Sequence, residues 1–210
     1  VASTQHVVFG VNPDDGTIEW EFRDWGRPDA GRPMQGGYIP ENIAPNSALF
    51  QDGMIFFSQG YNCNAYMVKL NDSLTGVSLV WKNDDLDTHH GGYVLVDGVI
   101  YGSNWLNNTS GNWCAVDWNT GKTIYNTTWS GGKGKGSIIS ADGMLYTYDE
   151  RRGFVGLVQP GSVFNVVSEF RITKGEGPYW AHLVIHNGVL YEYVSVLFLS
   201  FFNVVFQFTN

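Results

Sequence analysis

Cysteine is nearly missing from this chain: Cys63 and Cys114 are the only two among 210 residues. That excludes a disulfide framework and any zinc-finger spacing, and leaves two thiols that either pair across neighbouring strands or stay free and buried. Basic charge is also scarce. Twelve Lys and Arg face twenty Asp and Glu, a net charge of -8, and the twelve form no long run. A surface that holds phosphates must be basic, so general nucleic-acid binding is excluded. No stretch sustains a 3.6-residue apolar period, which excludes a helical architecture. The longest apolar run, "VSVLFLSFFNVVF" at 194–206, has thirteen residues, ten of them apolar and none charged. A membrane-spanning helix needs about twenty, so this run reads as a buried or aggregation-prone strand and no transmembrane span is expected. The chain opens on Val1 with neither an initiator Met nor a secretory leader, and is expected to be a mature or cut-down piece.

What is present is glycine (26 residues), aromatics (15%) and enough apolar residues (43%) to build a core. Glycines mixed with Tyr, Phe, Trp and Val point to short strands joined by turns. The turns are periodic. Asp52-Gly53, Asp97-Gly98, Asp142-Gly143 and Asn187-Gly188 each lie between two strand-like runs, and their glycines are spaced 45 residues apart. Asp-Gly and Asn-Gly favour the type I′ hairpin turn, because both central residues need positive φ. A second hairpin follows each of the first three: "YMVKLNDSLTGVSLVW" (66–81), "WCAVDWNTGKTIY" (113–125) and the weaker "GFVGLVQPGSVFNVV" (153–167), with an earlier copy in "VVFGVNPDDGTIEW" (7–20). Two hairpins per roughly 45 residues make four antiparallel strands per unit, the pattern of a β-propeller blade. The fold class is therefore all-β, with an incomplete arc of four to five blades. The Pro- and Gly-rich segment 23–47 reads as a long inter-blade loop over one face.

"WCAVDWNTGKTIY" resembles the pyrroloquinoline-quinone-type propeller repeat, whose pattern is roughly Ala-x-Asp-x-x-Thr-Gly-Lys-x-x-Trp. Ala115, Asp117, Thr120, Gly121 and Lys122 match it, with Tyr125 in the Trp position that Trp20 and Trp81 fill in other copies. The resemblance runs from about Val7 to Tyr191 and is nearest to bacterial quinone-binding-like repeat proteins. These include quinoprotein alcohol dehydrogenases, an outer-membrane assembly scaffold lipoprotein and many proteins without assigned activity. It implies that each Trp packs between blades near the next Thr-Gly turn, that the complete propeller has seven or eight blades, and that the protein works outside the cytoplasm. On this basis residues 1–191 form one propeller domain and 192–210 an aberrant hydrophobic tail. The open blade edges imply poor solubility alone, or self-association that completes the arc.

The hairpin turns also align the starts of the inner strands, which line the axis of a propeller. Seven residues before each turn stand Pro45, His90, Lys135 and Trp180; beside them are His89, Tyr179 and His182. Small residues follow, among them Gly91, Gly92, Gly136 and Ser137, as a crowded axis requires. His89, His90, Lys135, Tyr179, Trp180 and His182 are thus the candidate ring at a channel mouth. It could hydrogen-bond, attract an anion or stack on a sugar; the plainer alternative is that these residues cap the inner strands. Metal binding by adjacent His89 and His90 is disfavoured, because successive strand side chains point apart. "GGKGKG" (131–136) lacks the spacing of a phosphate loop and reads as the entry to an inner strand, and "YDERRG" (148–153) as an exposed hairpin connection.

For function the resemblance leaves two readings. One is a non-catalytic segment that binds a small molecule, glycan or protein at the propeller face, with no cofactor. The other is a fragment of a quinone-dependent alcohol dehydrogenase, using the quinone with calcium, whose catalytic residues lie on blades outside this chain. Relatives of the second kind carry two adjacent cysteines; here the two are 51 positions apart.

Overall fold

The structure, a computed structural model, describes residues 1–4, 7–23, 25, 45–193 and 203–207. Most of the segment expected as an inter-blade loop (24, 26–44) and residues 194–202 and 208–210 of the tail lie outside the described residues. Among those described there are strands and turns and no helix. Five antiparallel sheets follow one another along the chain. Blade I holds β1 (Ala2–Ser3), β2 (Val8–Val11) and β3 (Ile18–Phe22). Blade II holds β4 (Leu49–Gln51), β5 (Met54–Phe57), β6 (Ala65–Leu70) and β7 (Val77–Asn83). Blade III holds β8 (Tyr93–Val96), β9 (Val99–Ser103), β10 (Trp113–Asp117) and β11 (Thr123–Thr127). Blade IV holds β12 (Gly136–Ala141), β13 (Met144–Asp149), β14 (Phe154–Gln159) and β15 (Asn165–Arg171). Blade V holds β16 (Val184–His186), β17 (Val189–Tyr193) and β18 (Asn203–Gln207). The chain is an all-β, incomplete β-propeller.

The 45-residue spacing becomes geometry at the turns. Asp52, Asp97, Asp142 and Asn187 have φ between 49° and 52°, and Gly53, Gly98, Gly143 and Gly188 between 71° and 76°. Both central residues are left-handed, as the I′ turn demands. A second recurring feature is a β-bulge in the outer hairpin, at Gly10/Val11, Met67/Val68, Ala115/Val116 and Leu157/Val158. It adds local twist at the same place in four blades.

Successive side chains of a strand serve opposite seams between blades. In β5, Ile55 and Phe57 join the core of seam I/II while Phe56 joins that of seam II/III. In β10, Trp113 and Ala115 face seam III/IV while Cys114 and Val116 face seam II/III. Seam IV/V is filled by Tyr148, Val155, Tyr179, Leu183 and Leu190. Blades II, III and IV are thus apolar on both faces. Cys63 and Cys114 are buried and remain free thiols.

The interblade tryptophan is seated as expected in seam II/III. Trp81 is buried on the turn of blade III. A Cβ added at Gly121 would lie 2.5 Å from the indole, whose Nε1 donates to the Trp118 carbonyl at 3.1 Å. Asp117 shapes that turn, its Oδ1 accepting from the Thr120 N–H and hydroxyl at 2.7 Å each. Trp20 behaves differently: it pairs with Gly10 on its own blade, and a Cβ there would come within 2.1 Å of its Nε1.

Candidate functional site

The inner strands converge at the ends where β8, β12 and β16 begin. Gly91 packs against blade IV so closely that a Cβ would lie 2.0 Å from the Gly136 carbonyl oxygen, and a Cβ at Gly136 would meet the Tyr148 carbonyl. The Ser103 hydroxyl donates to the Gly136 carbonyl at 2.9 Å and accepts from its N–H at 3.1 Å. Asn46 of the blade II entry donates to the carbonyls of Thr88 and His89 and accepts from the Gly92 N–H. These backbone ties fix where the side chains just upstream emerge.

Five of the six candidate mouth residues come together there. The rings of His89 and His90 lie 4.7 Å apart, and that of His90 lies 5.4 Å from Trp180, two blades further on. His182 Nε2 is 3.0 Å from the His90 carbonyl. Lys135 is buried and forms an ion pair with Glu150, whose second oxygen is 3.4 Å from His90 Nε2. The last contact lacks the alignment of a hydrogen bond and becomes an ion pair only when His90 is protonated. Trp180 stands beside His90 with 59% of its surface exposed.

Tyr179 does not join them. It turns into seam IV/V, its ring 5.8 Å from Tyr148 and over Gly153, where a Cβ would lie 2.9 Å from Cζ. A bare glycine on the neighbouring blade gives the ring room, and burial in the core outweighs exposure at the mouth. Two further expectations are corrected. His89 and His90 precede β8 in a bend, so strand alternation does not separate their rings. And "YDERRG" is only half exposed: Tyr148, Asp149 and Glu150 are buried, with Arg151 and Arg152 outside. Asp149 accepts from the Gly134 and Arg152 N–H groups, shaping the turn that aims Glu150 at Lys135.

Glu150 is therefore the principal site residue that the repeat pattern missed, together with Tyr61 and Trp105. Tyr61 lies 4.9 Å from His89 and 4.4 Å from Trp105, extending the aromatic floor. At the position of Glu150 the preceding repeats carry Gly60 and Trp105, so no periodic signal marks it.

The electrostatics follow from this packing. Burial, reinforced by the charges of His90 and Lys135, lowers the His89 pKa to about 4. Burial, with Lys135 and His182, lowers that of His90 to about 4 as well. Both imidazoles are neutral at pH 7. Burial raises the pKa of Glu150, against the opposing pull of Lys135. The mouth thus presents neutral donors and acceptors beside an exposed indole, over an internally compensated ion pair. This donor set does not fit a tricarboxylate quinone, since its ammonium group is already matched by Glu150. Among the described residues no three His, Cys, Asp or Glu converge as a metal site. No helix among the described residues is long and apolar enough to cross a membrane.

Comparison with known proteins agrees on architecture. No protein-family profile matches the chain, and no curated protein matches it by sequence. Among solved structures, BamB from Moraxella catarrhalis superposes with a TM-score of 0.62 at 14% identity, over 90% of this chain and 49% of that one. The computationally designed Ika8 protein gives 0.59 at 7% identity, again over 90% and 49%. A europium-containing methanol dehydrogenase gives 0.46 at 16% identity over 60% of this chain and 25% of that one, too low to bear on function. The chain spans about half the length of the first two, and the likeness to them is one of fold: a β-propeller arc.

Proposed function

We propose that this chain is a non-catalytic segment of a quinone-binding-like β-propeller, acting outside the cytoplasm by holding a partner at the axial end of its blades. The observation that carries the reading is the exposed Trp180 ring beside His90, whose own ring lies next to the buried Lys135–Glu150 pair. Buried ion pairs are costly and are kept where geometry must be fixed, and an exposed indole beside neutral imidazoles is a binding surface. The seating of Trp81 on Gly121 supports the repeat type. Residues from blades III, IV and V meet at this one end, so the surface exists only in the assembled arc.

The test is a screen of glycans, small molecules and extracytoplasmic proteins against the chain and its Trp180→Ala and His90→Ala variants, with Ile18→Ala as an outer-strand control. A ligand retained by the control and weakened tenfold or more by both axial variants supports the reading. A ligand whose binding survives both overturns it. Dye-linked alcohol oxidation after addition of the quinone and calcium would establish the dehydrogenase reading in its place.

A further inference from the structure

Charge is spread unevenly along the chain. The whole carries -8, yet six of its twelve basic residues lie between 133 and 174, in and around blade IV. Two of the six are compensated: Lys133 pairs with Glu169, and Lys135 with Glu150. Three others, Arg151, Arg152 and Arg171, are exposed at the axial end of the blade, two in the turn between β13 and β14 and one at the end of β15. None of these three guanidiniums meets a carboxylate among the described residues. The acids beside them are already engaged. Glu150 and Glu169 hold the lysines, and Asp149 accepts from the N–H groups of Gly134 and Arg152. Glu176, exposed in the segment that follows, is one carboxylate against three guanidiniums.

Two of the three guanidiniums are held by neutral groups. Arg152 donates to the Gly131 carbonyl and lies over Gly132, where a Cβ would come 3.1 Å from its Nη2. Arg171 Nε donates to the Arg152 carbonyl at 3.0 Å, and its guanidinium lies 5.9 Å from the Phe154 ring centre. Carbonyls and a ring position these charges without neutralising them. Trp180 borders the same turn. The Tyr179 N–H donates to the Glu150 carbonyl at 2.7 Å, so Trp180 and Arg151 each follow that bond by one residue. The ion pair beneath the mouth is internally compensated; the uncompensated charge lies beside it.

We propose that Arg151, Arg152, Arg171 and Trp180 bind an acidic glycan, a sugar chain bearing carboxylate or sulfate groups. This rests on the reading of the axial end as a binding surface and names the ligand class. Planar guanidiniums match the oxygens of a carboxylate or sulfate with paired hydrogen bonds. The exposed indole offers a flat apolar face to the C–H face of a sugar ring, and the His90 ring beside it can hydrogen-bond to hydroxyls. All four residues stand on an open surface. A small molecule needs a concave site that covers most of it, so the ligand that fits is a chain lying across the surface. Duplex nucleic acid, a dense polyanion, is repelled by the overall charge of -8; a short glycan meets mainly the local patch.

Calorimetric titration of the chain with tetragalacturonate, its methyl ester and a chondroitin sulfate tetrasaccharide tests the assignment. The expected result is saturable binding of at least one of the two acidic glycans, weakened by added salt, with the uncharged ester about tenfold or more weaker. Arg151→Gln should weaken the acidic glycan about fivefold, and the Arg152→Gln, Arg171→Gln double variant and Trp180→Ala about tenfold or more each. Lys122→Gln removes the same charge at the opposite end of the sheets and should leave binding unchanged. Thermal melts report whether each variant is folded. The Arg151 guanidinium has no partner among the described residues, so its variant serves if the double variant does not fold. Absence of saturable binding of both acidic glycans overturns the proposal; the axial reading survives that result if another ligand is lost in Trp180→Ala and His90→Ala. Equal affinity for the ester also overturns it, as does binding that is indifferent to Arg151→Gln, an equal loss in Lys122→Gln, or duplex DNA bound as tightly.

Discussion

Seams I/II and II/III join blades of the same repeat, each with a tryptophan at the end of its outer hairpin, yet only one is closed by it. Trp81 bridges to blade III through Gly121 and the Trp118 carbonyl. Trp20 lies over Gly10 of its own blade within the seam I/II core, and a pocket opens beside it. The identity of the large residue does not decide the packing. What distinguishes the two is the residue beneath the ring, Met67 or Gly10, and the opposing hairpin, whose strands pair on to Leu70 and Val77 in blade II but end at Val116 and Thr123 in blade III.

The largest test of that difference is to remove each ring. Trp81 is 9% exposed and Trp20 7%, so burial alone predicts equal losses. The bridging geometry predicts otherwise. Trp81→Ala should cost about 3–5 kcal/mol, the range for a buried aromatic whose loss leaves a cavity. Trp20→Ala should cost about half as much, because its ring already borders an open pocket and the new space drains into it. Urea denaturation of both variants measures this, and equal losses would break the comparison.

Much of the architecture was legible because it repeats. Asp97-Gly98 and its three counterparts announced the inner hairpins, since only a few residue pairs tolerate two successive left-handed conformations. Gly91 and Gly136 announced the crowded axis. His90, Lys135 and Trp180 were legible as neighbours because each stands seven residues before its turn. What did not repeat stayed hidden. Glu150 replaces a glycine and a tryptophan at its position in earlier blades, so the partner of Lys135 left no trace in the pattern. Tyr179 was misplaced because its orientation depends on Gly153 of the preceding blade, a contact that no local spacing encodes. The posture of Trp20 depends on Gly10 beneath it, a cross-strand pairing that the spacing of the tryptophans does not encode.

A smaller effect sharpens the contrast at the turns themselves. Gly121 has φ 69° and an indole against its α-carbon, so Gly121→Ala combines backbone strain with displacement of a rigid ring and should cost about 2 kcal/mol. Gly76 needs no left-handed backbone, and a Cβ there would meet only the Asn71 Nδ2 at 3.1 Å, the movable end of a side chain. Gly76→Ala should change stability by less than about 0.5 kcal/mol. Denaturation midpoints that fall together for the two variants would show that the Gly76 turn is also under load.

The smallest effect separates both seams from the axial end, where the chain titrates. His89 and His90 have folded-state pKa values of about 4 against an ordinary 6.5. Between those limits the unfolded chain binds protons that the folded chain does not, so this contribution to stability is complete above pH 6.5 and is lost as pH falls toward 4. Glu150 acts in the opposite sense: its raised pKa favours the folded state at low pH and removes that advantage as pH rises past 4.5. His90→Asn deletes one of the two imidazoles without adding a charge, and should flatten the slope of stability between pH 6.5 and 4 by about half the histidine contribution. Trp81→Ala should lower the whole curve and leave its slope unchanged, because the indole of seam II/III carries no titrating proton. If the slope follows Trp81 instead of His90, the protons are taken up at the seam, and the separation of a neutral rim from a titrating axis fails.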